Sequence, residues 1–421
     1  MTAKRPHLTL LNDNPRPEKD LLNFSRYARP LADLIADART QTPLTIGIYG
    51  HWGNGKTTLM QLIRQVLPRE KFVHVEFVPW LYSSDENLLI PLLHTIYDTL
   101  EENPLEHFKN SAARISAIIT RITAALAIKT ISAGQVSLKD VDEEYQRFNS
   151  ANSSINSSIA KLRDELRRTV EEITDKGKGR MVIYVDDLDR CLPGKIIELL
   201  ESLKLFLDIP NTVVLLAVDC EIVEYGIRAH YKDFDFAPDK LGSLTADYLD
   251  KMIQLPIYLH PLEREEMCSY LDGLVKESKF QLPNEIFDLL IACLLPNPRK
   301  IKRVLNLLSL HSKMVERGLF SKGDFSPSIF ARMVLLQQQW PELYSWIRVY
   351  PNILTILAEI LLGRMGLDRD SDWRDIDLTS PEIKRICEKT VKNISPQLQA
   401  IFQPGNIFEG VDLQPHLQML G

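Results

Sequence analysis

Apolar residues fall into two kinds of pattern along this chain, short continuous runs and stripes at helical spacing. The runs are Leu44–Tyr49, Lys71–Val78, Met181–Val185, Asn211–Asp219 and a stretch around Met252–Leu259. They are short and rich in β-branched residues, as strands buried on both faces of a parallel sheet must be. Between them, Thr58–Leu67 (stopped by Pro68), residues 85–101 and Lys195–Leu207 carry apolar positions at helical spacing. Strand–helix alternation predicts an α/β fold with a five-stranded parallel sheet covered on both faces. Ahead of the first run, Leu21, Leu22, Phe24, Tyr27, Ala28, Leu31, Leu34 and Ile35 predict a helix within Asp20–Ala38, interrupted near Pro30. Residues 103–178 are too long for one connection and predict a helical insertion. Within it Asn149–Ser158 reads as a flexible or cap-forming segment.

From residue 262 the pattern is helical. Glu263–Lys276, Asn284–Leu295 and Lys300–Arg317 predict three helices, and 326–363 is apolar enough for two more. Residues 364–421 mix Asp-rich and Pro-containing loops with short helices. The expected organisation is therefore an arm at 1–18, a core at 19–260 with its insertion, a helical lid at 261–318 and a C-terminal helical region at 319–421.

Charge and composition narrow the chemistry. The 421 residues carry a net charge of −6 and a pI near 5.9, which gives no electrostatic case for nucleic acid or an anionic membrane as primary ligand. Five scattered cysteines with no C-x-x-C make neither a disulfide framework nor a zinc site, and suit a reducing cytoplasm. Met1–His7 lacks the apolar core of a signal peptide. The most apolar part of the insertion, Ile115–Ile131, is cut by Arg121 and Lys129. That leaves it well short of the ~20 residues a transmembrane helix needs. An amphipathic surface, a partner contact or a helical hairpin remain as readings of it.

The strongest chemical signal follows the first strand. Gly50-His51-Trp52-Gly53-Asn54-Gly55-Lys56-Thr57 fits G-x-x-x-x-G-K-[ST], the phosphate-binding loop of nucleotide triphosphatases, and it stands between a strand and a helix as the chemistry requires. Gly50, Gly53 and Gly55 let backbone N–H groups approach phosphate. Trp52, Asn54 and Thr58 complete the expected binding segment. Lys56 brings a compact charge to the β- and γ-phosphates, and the Thr57 hydroxyl is a Mg²⁺ ligand.

A second signal is Met181–Val185 running straight into Asp186-Asp187-Leu188-Asp189-Arg190. A buried strand holds one carboxylate at the sheet's C-terminal edge to bind Mg²⁺, and an adjacent one activates water. These roles fall to Asp186 and Asp187 respectively. Arg190 either pairs with Asp187 or Asp189, or reaches a γ-phosphate in its own or a neighbouring subunit. Asp219, at the end of another strand, is either a γ-phosphate sensor or a helix cap. In Asn297-Pro298-Arg299-Lys300-Ile301-Lys302-Arg303, Arg299, Lys302 and Arg303 share a helix face. That face reads as a solvated basic surface, a phosphate sensor or a small nucleic-acid patch.

Together these residues resemble the KAP-family P-loop NTPases, in the STAND-like, AAA+-related branch. The phosphate loop with its internal tryptophan carries the resemblance, with Phe77-Val78-Pro79-Trp80-Leu81-Tyr82 and Asp186-Asp187-Leu188-Asp189-Arg190-Cys191. Tyr248–Pro256 and Asn297–Arg303 extend it across roughly residues 18–310. The resemblance implies ATP with Mg²⁺, a helical lid, Arg299 as a sensor on that lid, and Trp80 near the site. Many relatives carry membrane spans in the insertion; residues 103–178 do not qualify, which favours the soluble prokaryotic type. Such relatives include proteins proposed to act in phage exclusion and other defence systems, often beside an effector.

The expectation is a cytoplasmic Mg²⁺-dependent ATPase whose binding or hydrolysis of ATP drives a conformational or assembly switch. A protein partner or self-association through the helical regions would receive its output. The rival is a nucleotide-gated scaffold that binds ATP, scarcely turns it over and recruits an effector. A DNA-acting motor would want a basic stripe, and beyond 299–303 none is evident.

Overall fold

The computed structural model describes residues 10–14, 18–82, 88–102, part of 109–123, 160–172, 174, 179–203, 209–230, 245–318, 325–365, 381–403 and 405–420. Most of the 103–178 insertion, including Asn149–Ser158, lies outside the described residues, as does the end of the helix expected to reach Leu207. The chain divides into two compact units, residues 15–260 and residues 261–421 together with 1–14.

In the first unit, β1 (Leu44–Tyr49), β2 (Phe72–Phe77), β3 (Arg180–Val185), β4 (Thr212–Val218) and β5 (Leu255–Tyr258) form one sheet in the order β2-β3-β4-β1-β5. Every pairing is parallel, with Leu44 opposite Val213, Met181 opposite Thr212 and Ile46 opposite Leu255. β4 thus separates β1 from β3, so the end of β4 stands between the loops that leave those two strands. All residues of β3 and β4 are buried, whereas the edge strand β5 alternates. Continuous apolar runs are what the central positions of a covered sheet demand.

Side-chain parity sorts the helices. Met181, Ile183, Val185, Val214, Leu216 and Val218 point into one cluster with α3 (Leu89–Glu101), α4 (Pro193–Leu203) and α5 (Cys220–His230). Leu162, Leu166 and Val170, from a helical stretch over 160–172, join it. Alternate residues of the same strands point to the opposite face. There α2 (Lys56–Val66) packs on β4, and α1 (Ser25–Ala36) packs on α2. Two sequence expectations change here. The α1 helix runs unbroken through Pro30, burying Ala28, Leu31, Ala32 and Ile35. Proline removes one intrahelical bond, but the buried face persists across it. Asp20 also accepts hydrogen bonds from the Phe24 and Ser25 N–H groups, at 2.7 and 2.8 Å, where the helix begins. And α2 begins at Lys56 rather than Thr58, so the end of the phosphate loop is the first helical turn.

The second unit is helical, with α6 (Arg264–Ser278), α7 (Asn284–Cys293), α8 (Pro298–Glu316), α9 (Pro327–Gln339), α10 (Pro341–Val349) and α11 (Ile353–Leu361). It continues through α12 (Pro381–Lys392), α13 (Pro396–Ile401) and α14 (Gln414–Leu420). Residues 326–363 make three helices where two were expected. Pro341 is tolerated at the first turn of a helix and disfavours helical backbone at Trp340, so one apolar stretch becomes α9 and α10. Residues 10–14 are tied to α8, where Leu11 N–H donates to Asn306 Oδ1 at 2.8 Å and Lys302 Nζ donates to the Asn12 carbonyl at 3.1 Å.

Candidate nucleotide site

Strand β1 ends buried, and Gly50 N–H donates to the Val218 carbonyl of β4 at 3.1 Å, which fixes where the loop leaves the sheet. The loop then curls through two left-handed residues, Gly53 (φ 88°) and Gly55 (φ 91°), before α2 begins. A side chain is disfavoured there on conformational grounds alone. At Gly55 it is also excluded by space, because a Cβ would lie 2.5 Å from Phe24 Cε2 and 3.1 Å from Leu22 Cδ1. The segment ahead of α1 therefore packs directly on the phosphate loop, and Phe24 is buried.

Lys56 is 8% exposed, an unusual burial for a lysine. Its Nζ donates to the Gly50 carbonyl at 2.7 Å and to His51 O at 3.4 Å, and lies 4.0 Å from Asp189 Oδ2. The ammonium thus folds back across the cradle of its own loop. Trp52 is half exposed, and Asn54 N–H donates to His51 O at 3.2 Å.

Across the sheet, Asp186 N–H donates to the Phe77 carbonyl at 3.1 Å, continuing the β2–β3 ladder, and Asp186 Oδ1 accepts from Asp187 N–H at 2.9 Å. Asp187 takes a left-handed backbone (φ 54°, ψ 32°) and opens a single 3-10 turn over Leu188–Arg190. Burial, then the neighbouring Asp186 charge, push the Asp187 carboxyl above its usual range, opposed by Arg190 and by a Trp80 hydrogen bond. The Arg190 Nε lies 3.0 Å from Asp187 Oδ1, and its guanidinium sits over the Trp80 ring, 5.3 Å from the centroid. Of the readings held open for Arg190, the structure shows the pairing with Asp187. Thr57, Asp186 and Asp187 line one cavity of about 200 Å³, which runs between α2 and β2 past Met60, Phe77 and Tyr184.

Asp219 directly follows β4 and is 8% exposed. Its Oδ1 accepts weakly from Glu221 N–H at 3.3 Å, so it caps the start of α5, as one of the two readings has it. Its Oδ2 lies 3.8 Å from His51 Nδ1, an ion pair only when the imidazole is protonated. His51 stands at a position the motif leaves unspecified, so the sequence does not single it out, and in the sequence Asp189 reads only as a partner for Arg190. The signal for Asp189 was its place two residues beyond Asp187 on a tight turn. Thr58 follows Thr57 in the first turn of α2 and is half-buried. Arg299 lies in the helical unit, where its Nε is 3.4 Å from Asp13 Oδ2, and Asn297 caps α8 by accepting from the N–H groups of Arg299 and Lys300. Among the described residues no helix is long and apolar enough to cross a membrane.

The chain is similar to several known proteins. The chain is 23% identical over 396 residues to the Phage T7 exclusion protein of Escherichia coli, an alignment that spans 85% of this chain and 49% of that one. It therefore covers about half the length of that relative. An uncharacterised protein of Methanocaldococcus jannaschii is 26% identical over 169 residues, 33% of this chain and 87% of its own. Among solved structures, a Walker-type ATPase of Pyrococcus abyssi aligns over 94% of this chain and 99% of its own at 17% identity and a TM-score of 0.44. The ORC2 protein of Aeropyrum pernix aligns over 91% of this chain and 82% of its own at 13% identity and a TM-score of 0.39. The KAP family P-loop domain matches residues 24–315, the span that holds the sheet, the phosphate loop and the Asp186–Arg190 turn, and the chain belongs to that family.

Proposed function

We propose that this protein binds and hydrolyses ATP with Mg²⁺, and that the nucleotide state sets a conformational or assembly switch. The observation that carries this reading is the convergence of Lys56, Thr57, Asp186 and Asp187 on one cradle and its adjoining cavity, from the first turn of α2 and the turn after β3. The donors beside Thr57 are a hydroxyl and two carboxylates, the hard oxygen set that suits Mg²⁺. The ion, when bound, neutralises charge on the β- and γ-phosphates. Thr57 and Asp186 would hold it, the loop N–H groups and Lys56 would bind phosphate oxygens, and a carboxylate of the 186–189 turn would accept the proton of the attacking water. Gly50, Trp52, Gly53, Asn54, Gly55 and Thr58 complete the binding segment. Asp219, anchored between the two loops, is the candidate γ-phosphate sensor of the sheet. Arg299 is that of the helical unit, and a role there would include exchanging its Asp13 partner.

Kinship with a phage exclusion protein supports a place in antiviral defence, with a protein partner or a second copy receiving the signal. The nucleotide-gated scaffold has one observation in its favour, namely that Arg190 and Trp80 already occupy Asp187. Phosphate release from ATP at graded Mg²⁺, measured alongside ATP binding, separates the two. Turnover that is lost in Lys56→Ala, and that needs more Mg²⁺ in Thr57→Ala, supports the enzyme. Tight binding without turnover at high protein concentration leaves the scaffold.

A further inference from the structure

Two carboxylates stand two residues apart on the turn after β3, and the structure treats them differently. With three residues per turn, a 3-10 segment sends positions two apart to different sides. Asp187 meets Arg190 and Trp80. Asp189, with its side chain 10% exposed, meets Lys56, itself 8% exposed. Among the described residues, Asp189 supplies the carboxylate within 4.0 Å of the Lys56 ammonium.

We infer that Asp189, rather than Asp187, is the general base of the hydrolytic step. The inference rests on the ATPase reading above and deepens it. A phosphate-loop lysine contacts the β- and γ-phosphates, at the ~2.8 Å of a charge-assisted hydrogen bond. An acid 4.0 Å from the same Nζ therefore lies within about 7 Å of those oxygens. A carboxylate working through one water needs roughly two hydrogen-bond lengths, about 5.5 Å, from itself to the group attacked. Asp189 meets that requirement with little movement. Asp187 would first have to give up the Arg190 Nε at 3.0 Å and the Trp80 hydrogen bond.

In the step itself, the water oxygen forms a bond to the γ-phosphorus and its proton passes to the Asp189 carboxylate. The bond from phosphorus to the β–γ bridging oxygen breaks, and its electron pair leaves with ADP. Before ATP arrives, the same carboxylate holds Lys56 in the cradle, so phosphate replaces it as the partner of the ammonium and frees it for water. Asp187, with Arg190 and Trp80, then positions the turn.

The test compares the wild type with Asp189→Asn, Asp189→Glu, Asp187→Asn and Arg190→Ala, measuring ATP affinity and single-turnover hydrolysis across pH 5–8. Asp189→Asn should bind ATP at least as tightly as wild type, because a negative charge beside the phosphate site is gone. It should hydrolyse on the order of 100-fold more slowly or worse, the usual contribution of a general base. Asp189→Glu should regain part of the rate. Asp187→Asn and Arg190→Ala should lose several-fold each, and by similar factors, since they break one contact. Wild-type turnover that survives Asp189→Asn but collapses in Asp187→Asn overturns the assignment and leaves the ATPase reading intact. So does a loss in Asp189→Asn that follows ATP affinity alone, which would make Asp189 a structural partner of Lys56. A wild type that binds ATP and never turns over removes both.

Discussion

Three glycines around β1 separate backbone strain from steric crowding, and alanine at each gives a ranked prediction. At Gly50 a Cβ would meet Leu259 Cβ at 3.5 Å and Asn54 Cβ at 3.6 Å, ordinary contacts. Gly50→Ala should cost no more than about 0.5 kcal/mol, the range of substitutions that touch nothing special. At Gly47 the Cβ would come within 2.7 Å of Tyr49 Cε2 and 2.9 Å of Ile253 Cδ1. The isoleucine end can rotate, but the Tyr49 ring is stacked on Tyr258 at 4.8 Å and must shift as a plate. That places Gly47→Ala in the overpacking range, about 1–3 kcal/mol. Gly55 combines a 2.5 Å approach to the Phe24 ring with a φ of 91°. Strain of about 1–3 kcal/mol for a non-glycine there adds to a similar crowding cost, so Gly55→Ala should cost roughly 2–6 kcal/mol. The assay is urea unfolding followed by fluorescence. Trp52 and Trp80 report on the unit that holds all three sites. Changes in midpoint at constant slope are then read as stability. A Gly50→Ala variant as destabilised as Gly55→Ala would refute the reasoning, since only crowding and left-handed backbone distinguish them.

Three further outcomes follow from single side chains. Burial pulls the His74 imidazole down to about 4, and its Nδ1 faces Tyr184 Oη at 2.9 Å while Nε2 faces Leu67 O at 3.2 Å. A depressed histidine binds its proton more readily in the unfolded chain. Its contribution is thus complete above about pH 6.5 and is lost as pH falls from there towards 4. Discounted for partial solvent exposure, the loss is about 1–2 kcal/mol over that interval, and His74→Asn should flatten the pH dependence of the unfolding midpoint. Arg332, 3% exposed, donates to Ile401 O at 2.9 Å and to Gln403 O at 2.8 Å. Arg332→Met should cost about 2–4 kcal/mol by stranding those carbonyls, visible as a lower midpoint in the unit that contains Trp340 and Trp346. Arg180 holds the Asp37 and Thr40 carbonyls at 2.6 and 2.9 Å. Arg180→Leu should cost a similar amount and loosen the α1–β1 connection, seen as faster amide exchange there.

Much of this protein was legible in the order of its residues. Continuous β-branched runs can be satisfied only by a sheet covered on both faces, so Met181–Val185 and Thr212–Val218 announced their burial. The phosphate loop was legible because its glycines, lysine and threonine act through backbone shape and charge at fixed spacing, which sequence records directly. Sequence did not record which partner each charged side chain would choose. Arg190 had two acids within reach, and the 3-10 turn with a left-handed Asp187 settled it on Asp187 rather than its immediate neighbour Asp189. Asp219 became a neighbour of His51 because β4 inserts between β1 and β3, a choice made by strand order and absent from local pattern. The helix through Pro30 and the break at Pro341 show the same division. Inside α1 proline forfeits one intrahelical hydrogen bond, which the continuing buried face outweighs, whereas at the first turn of α10 its missing N–H forfeits none. Spacing along the chain fixes what each segment can become, while packing across it decides which neighbours a buried charge or a bent backbone will meet.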